Sequence, residues 1–186
     1  LPVKSSGVLL EKGARNLGLH AQAAPMAILS QPNNNRPAYM HCGFCMGFGC
    51  EANAKSSTLA AMIPLAEATG RCEIRPLSTV FRIDTNAAGR VTEVAYVDAQ
   101  GRQQAQKAKA VIVAANGGET PRLLLMSESS RHPDGLANGS GLVGKYLMGN
   151  GHSQAHAFFD EPLNEYKSVQ VTRIMHYVYD NDPARG

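Results

Sequence analysis

Three cysteines stand close together in the sequence, at a spacing that suits metal or redox chemistry. Cys42, Cys45 and Cys50 form a C-x2-C-x4-C pattern, and His41 directly precedes the first of them. Glycines between the cysteines allow tight backbone turns, so three thiolates on this loop could wrap a metal ion. Zinc with His41 as fourth ligand would be strained, because His41 and Cys42 are adjacent. We prefer the interpretation that these are reduced cysteines packing the loop, with one redox-labile pair; an iron–sulfur cluster, zinc or a disulfide are the alternatives.

A second segment has the pattern of a nucleotide-binding turn. Residues 110–115 are small or β-branched and apolar, and Asn116 and a Gly-Gly pair follow. Thr120 stands where a helix N-cap belongs, and Pro121 occupies the first helical position before a run of leucines. The pattern predicts a buried parallel strand that leads to a helix N-terminus, where α/β folds bind nucleotide cofactors. Asn116 tolerates left-handed backbone geometry, so the turn should form with this residue.

Helical spacing of apolar residues predicts two further helices. The first would start at Ser5 or Ser6 and end at Gly18, and the second would start at Ser57 or Thr58 and end at Gly70. Pro64 near the middle of the second helix has no N–H to donate and would break a helical hydrogen bond. The alternative is that the helix begins later and Pro64 lies in its first turn, where that N–H is not needed.

Alternating polar and apolar residues predict several strands. Their ranges are 72–75, 79–83, 91–97, 103–109, 153–159 and 169–179. The three from 79 to 109 would form a meander inserted before residues 110–115. The last two would belong to a second domain, and their alternation would place His152 and His156 on one face of a sheet. Cys72, at a strand start, would be a small core residue.

Composition and charge exclude several classes of protein. The chain has 186 residues, of which 44% are hydrophobic and 18% are charged, values that are ordinary for a globular domain. The net charge is only +3 and the basic residues are scattered, so no nucleic-acid partner is expected. No apolar run reaches the roughly 18 residues that a transmembrane helix needs.

The motifs occur in an order that resembles a known family. Along the chain stand the cysteine segment 42–50, AKSST at 54–58, CEIRP at 72–76, TVFRI at 79–83, the turn at 110–125 and GLVGKYLM at 141–148. This order resembles the glucose-methanol-choline (GMC) family of flavin-dependent oxidoreductases, and especially its gluconate- and sugar-dehydrogenase branch.

The resemblance implies a fold and a cofactor. The fold would be α/β: residues 1–150 would form part of an FAD/NAD(P)-binding Rossmann-like domain with an inserted β-meander. Residues 151–186 would begin an α+β substrate domain. FAD would be the cofactor, and the residues implied for its adenosine half are Val80, Ala114, Ala115, Asn116 and Gly117. Phe44 and Phe48 would either shield the isoalloxazine ring or anchor their loop in the core.

The resemblance also implies that the chain is the middle of an enzyme. The chain begins at Leu1 without Met, and the family's G-x-G-x-x-G turn and its catalytic His are not found in it. No catalytic residue is therefore expected here, and no activity of the chain alone. Lys55 is expected to be a solvated loop residue, with contact to an anionic group as the alternative.

The activity implied for the whole enzyme is oxidation of an alcohol group. A hydride would pass from a sugar, sugar acid or polyol to the flavin, and electrons would go to an external acceptor. Because some similar sugar dehydrogenases hold a three-iron cluster in this region, an iron–sulfur electron-transfer module is one alternative. A non-catalytic flavin-binding domain and a nicotinamide-linked protein are others.

Overall fold

The computed structural model describes residues 1–176, which form helices and two small antiparallel sheets. In chain order the elements are α1 (Ser5–Asn16), β1 (Gln22–Ala23), a π-helical turn (Thr58–Met62) continued by α2 (Ile63–Ala68), β2 (Thr79–Thr85), β3 (Val91–Val97), β4 (Gln103–Lys107), α3 (Asn116–Met126) and β5 (Arg173–Ile174). The chain divides into two units. Leu1–Glu73 and residues 155–176 form the first unit, and Ile74–Gln154 forms the second.

The second unit contains the predicted meander. Its three strands form an antiparallel sheet in the order β2-β3-β4. Helix α3 packs on β2, and Ile83, Ala95 and Leu123 are buried. The meander was predictable because each strand pairs with its neighbour in sequence through a short turn.

A buried serine ties α3 to β2. Ser127 is only 2% exposed. Its Oγ accepts a hydrogen bond from the backbone N–H of Ile83 at 2.9 Å and donates one to the carbonyl oxygen of Leu123 at 2.7 Å. The end of α3 is thereby fixed to the strand that carries Val80.

Glycine is required where the chain passes over the end of α3. The backbone N–H of Leu136 donates to the carbonyl oxygen of Leu124 at 2.8 Å. At Gly135, where φ is +96°, a Cβ would lie 2.8 Å from the Cα of Leu125. A larger residue would therefore push this segment away from the helix.

The first unit has its own small core. Tyr39, Cys45, Ala54 and Val169 are buried together, and Ile28 and Cys50 pack against them. Strand β1 pairs antiparallel with β5. Helix α1 ends at Asn16, two residues before the predicted end at Gly18, whose φ is +71°.

The start of α1 is capped by a residue distant in sequence. Glu165 accepts hydrogen bonds from the backbone N–H of Ser6 at 2.9 Å and from its hydroxyl at 2.6 Å. Lys4 Nζ also lies 3.0 Å from the same carboxylate. The prediction that Ser5 or Ser6 caps this helix was therefore wrong, because the carboxylate takes that role.

Ser57 does cap the second predicted helix, since its Oγ accepts from the backbone N–H of Ala60 at 3.1 Å. Pro64 lies in the first turn of α2, as the later-starting alternative required. Gly70, with φ of +67°, follows the end of α2.

Three predicted strands do not form. Residues 72–75, 110–115 and 153–159 are irregular. A strand exists only where a neighbour pairs with it, and no residue in 1–176 forms a ladder with these segments. Accordingly Ile112, predicted to be buried, is 92% exposed, and Cys72 is exposed rather than part of the core.

Two other predicted strands are shorter than expected. Strand β4 ends at Lys107. The predicted strand 169–179 is reduced to Arg173–Ile174, and residues 177–179 lie outside the described residues. Because residues 153–159 form no strand, His152 and His156 share no sheet face. Within residues 1–176, no helix has the length and apolar character needed to span a bilayer.

Candidate functional site

Four of the five residues predicted to hold the cofactor line one cavity in the second unit. Its volume is about 490 Å³, within the range of about 300–1,000 Å³ typical of small-molecule sites. Val80 of β2 forms one side, and Ala114, Ala115 and Asn116, which lead into α3, form another. Gly117 is exposed in the first turn of α3 and does not line the cavity.

The remaining lining residues were not identified from the sequence. They are Ser78, Thr79, Glu119, Arg122 and Leu123. The first two adjoin Val80, and the others follow Asn116 at helical spacing, so the i, i+3 and i+4 rule could have found them. Arg122 Nη2 lies 2.7 Å from Glu119 Oε2, which makes this wall of the cavity polar.

Asn116 shapes the turn between the cavity and α3. Its φ is +67°, which confirms the predicted left-handed geometry. Its Oδ1 accepts hydrogen bonds from the backbone N–H groups of Gly118 at 2.8 Å and Glu119 at 3.0 Å, the bonding of an N-cap. These two amides are therefore already satisfied and are not free for a phosphate.

The prediction that Thr120 caps this helix was wrong. Because Asn116 caps one turn earlier, α3 starts there and Pro121 lies inside the helix. Thr120 Oγ1 instead accepts from the backbone N–H of Ala115 at 3.2 Å. This hydrogen bond to the Thr120 hydroxyl fixes the backbone of Ala115, which lines the cavity.

The cysteine loop lies in the first unit. The thiol of Cys45 is buried and lies 2.6 Å from the hydroxyl of Tyr39. The exposed Cys42 has its Sγ 3.6 Å from that of Cys45. Burial raises the pKa of Cys45, against the opposing effect of the hydrogen bond with Tyr39.

Cys50 has a different environment from the other two thiols. Burial opposes its ionisation, but the backbone N–H groups of Lys55, Ala54 and Ala52 outweigh burial and lower the pKa of Cys50. Its thiol packs beside the core formed around Tyr39.

Lys55 holds the cysteine loop rather than pointing into solvent. Its Nζ donates to the carbonyl oxygens of Cys45 at 2.5 Å and Phe48 at 3.3 Å. The expectation of a solvated lysine was therefore wrong. A single cation here satisfies carbonyls that a tight loop leaves without backbone partners.

No metal site is formed by these side chains. In the described range 1–176, no group of three or more His, Cys, Asp or Glu side chains is arranged to hold a metal ion. His41 Nδ1 lies 2.8 Å from Ser168 Oγ.

Phe44 and Phe48 contact each other edge to face and are 68% and 64% exposed, so they do not anchor the loop in the core.

Comparison with known proteins identifies the family. The sequence model described as GMC oxidoreductase matches residues 4–150. The chain is 40% identical over 134 residues to 2-methyl-1,2-propanediol dehydrogenase of Mycolicibacterium austroafricanum, an alignment that covers 72% of this chain and 24% of that protein.

Two further relatives are sugar or sugar-acid dehydrogenases by name. The fructose dehydrogenase large subunit of Gluconobacter japonicus is 36% identical over 71% of the chain and 24% of its own length. The gluconate 2-dehydrogenase flavoprotein of Pantoea cypripedii is 30% identical over 84% of the chain and 26% of its own length. The chain thus spans about a quarter of these relatives, and it belongs to the GMC oxidoreductase family.

Proposed function

We propose that the whole protein is an FAD-dependent dehydrogenase that oxidises an alcohol group of a sugar, sugar acid or polyol. In this proposal the chain supplies the adenosine half of the FAD site. The observation that carries it is the convergence of Val80, Ala114, Ala115 and Asn116 around one cavity. Membership of the GMC family and the names of the relatives support the type of reaction.

The residues around the cavity suit an adenosine group. The two alanines leave room beside the backbone, and a bulky side chain there would fill the volume that a purine and a ribose need. Val80 lies on an outer strand of its sheet, where backbone groups can face a ligand. With its leading amides already bonded to Asn116, the start of α3 offers a shaped surface rather than a phosphate site.

Each part of the lining would have a separate task. The alanines would leave space, Asn116 would fix the course of the backbone, and the Glu119–Arg122 pair would form the polar rim. FAD, when bound, supplies the hydride-accepting chemistry of this family. The chain's own residues bind and orient the cofactor.

The Rossmann-like domain is part of the same proposal. Residues 110–115 carry the composition of a central parallel strand, yet Ile112 is 92% exposed. A β-branched apolar side chain of this kind is expected to be covered by neighbouring strands. We infer that the segment becomes a strand when such neighbours pair with it.

A spectroscopic experiment on the full-length protein tests this function. We expect flavin absorbance in the purified protein, and anaerobic loss of that absorbance after addition of gluconate, fructose, glucose, sorbitol or 2-methyl-1,2-propanediol. External acceptors such as phenazine dyes should then be reduced in turn. A flavin-free protein, or a flavin that none of these alcohols reduces, would contradict the proposal. Metal analysis of the same sample separates an iron–sulfur module from a simple flavoprotein.

A further inference from the structure

The Cys42–Cys45 pair has a geometry that the proposed flavin function does not use. The two sulfur atoms are 3.6 Å apart on a C-x2-C segment. A disulfide needs a sulfur–sulfur distance of about 2.05 Å, so a small movement of the side chains would join them. Cys42 is exposed, whereas Cys45 is only 4% exposed.

Contacts from outside the loop hold both cysteines near each other. The carbonyl oxygen of Cys42 accepts from the backbone N–H of Ser168 at 3.1 Å. The carbonyl oxygen of Cys45 accepts from Lys55 Nζ at 2.5 Å. Because both backbones are anchored, little conformational freedom remains to be lost when the sulfurs join.

The two thiols differ in access, and this difference sets an order of reaction. The exposed Cys42 can meet a small molecule, while the buried Cys45 meets only groups on the protein. An accessible attacking thiol beside a second, shielded thiol is the arrangement found in redox-active cysteine pairs. Cys50 packs against the core that includes Cys45, and the backbone N–H groups of Ala52, Ala54 and Lys55 lie against its thiol.

We propose that Cys42 and Cys45 form a dithiol site that exchanges with low-molecular-weight disulfides such as oxidised glutathione. The Cys42 thiolate attacks one sulfur of the disulfide, forming a mixed disulfide and releasing one thiol. The Cys45 thiolate then attacks Cys42 Sγ, which forms the internal disulfide and releases the second thiol. Both cysteines are oxidised, the glutathione disulfide is reduced, and the two thiol protons end on the released thiols.

Formation of the Cys42–Cys45 disulfide would change the contact between Cys45 and Tyr39 in the core. Cys45 would lose its S–H, and the hydroxyl of Tyr39, now 2.6 Å from the thiol sulfur, would face a disulfide sulfur instead. The reduced and oxidised forms therefore differ at a buried tyrosine as well as on the exposed loop.

Mass spectrometry of the full-length protein tests this site independently of flavin binding. The reduced protein is incubated with defined ratios of oxidised to reduced glutathione, quenched in acid, alkylated and digested. We expect a Cys42–Cys45 disulfide that dithiothreitol reverses, with Cys50 alkylated. The variant Cys50→Ser should form the same disulfide, whereas Cys45→Ser should stop at a mixed disulfide of glutathione with Cys42.

The exposed Cys72 serves as an internal reference. If Cys42 and Cys45 are both alkylated at a glutathione ratio that modifies Cys72, the proposal is wrong. A disulfide that includes Cys50, or iron held by these thiolates in the native protein, would equally overturn it. None of these results bears on the adenosine cavity, so this proposal and the flavin proposal fail separately.

Discussion

At the scale of single residues, Asn116 serves the candidate site in two ways. It adopts the left-handed φ of +67° that the turn requires, and its side chain caps α3. Few residue types meet both demands, because a β-carbon disfavours this backbone region and only short polar side chains cap well. Its left-handed tolerance was predictable from residue type. Its capping role was missed because Thr120 and Pro121 form the more usual start signal.

Substitutions at Asn116 should separate these two tasks. We expect Asn116→Ala to lower the free energy of unfolding by about 1–2 kcal/mol, because it removes the cap and leaves a β-carbon at positive φ. Asn116→Gly should cost only a few tenths of a kcal/mol relative to Asn, since glycine accepts this φ and is tolerated as an N-cap. Urea unfolding of the full-length protein measures both. Equal losses in the two variants would show that the backbone geometry is unimportant.

At the scale of elements, the β2–α3 contact positions the cavity. Val80 lies on β2 and Asn116 begins α3, so their separation depends on how the helix sits on the strand. Ser127 supplies two hydrogen bonds of that contact. Its role could not be read from the sequence, because it depends on residues 44 positions apart meeting in the fold.

Removing this hydroxyl should loosen the cavity as well as the fold. Ser127→Ala leaves the buried N–H of Ile83 without its partner, and we expect a loss of about 1–3 kcal/mol in the free energy of unfolding. FAD affinity should fall with it, because Val80 and Asn116 are no longer held at a fixed separation. The exposed Ser130→Ala is the matched control. Denaturant unfolding and flavin titration of the apoprotein check both effects, and unchanged FAD affinity in a destabilised Ser127→Ala variant would refute the positioning role.

The Glu165 cap should make α1 sensitive to acid. Burial opposes ionisation of this carboxyl, but hydrogen bonds from Ser6 and Lys4 outweigh burial and hold the pKa of Glu165 below its ordinary value of 4.5. A carboxyl with a lowered pKa stabilises the folded state above its unfolded pKa and loses that effect as the pH falls through the folded value.

Hydrogen exchange of the α1 amides can measure this effect. We expect α1 to be better protected in the wild type than in Glu165→Gln at neutral pH, and the difference to shrink as the pH falls below 4.5. Comparing the wild type with Glu165→Gln at the same pH cancels the intrinsic pH dependence of the amide exchange rate. A difference that stays constant down to strongly acidic pH would contradict the capping role.

Element predictions succeeded where the partners are close in sequence. The meander and the end of α1 depend on short turns and on a glycine, which composition reveals. Residues 110–115 failed as a strand because strand formation depends on partners, and none of residues 1–176 pairs with them. The conformational preference of a short segment can be read from its own residues. Its pairing into a sheet depends on segments elsewhere in the protein.

At the scale of the whole molecule, the chain spans about a quarter of the relatives that it matches. Four of the nine residues around the cavity are ones that the family resemblance implies for the adenosine half of FAD: Val80, Ala114, Ala115 and Asn116. The other five depend on how β2 and α3 face each other. The role of Lys55 likewise depends on the folded loop, because its ammonium group donates to the carbonyl oxygens of Cys45 and Phe48.

The central claim is that the cavity beside Ala115 holds the adenosine of FAD, and the flavin content of a single variant tests it most directly. Ala115→Phe in the full-length protein should fill the cavity with a ring, so the purified variant should lose its FAD while remaining folded by circular dichroism. Ala99→Phe, in the exposed turn between β3 and β4, places the same ring away from the cavity and should keep the flavin. A normal flavin-to-protein ratio in folded Ala115→Phe would contradict the placement of the cofactor.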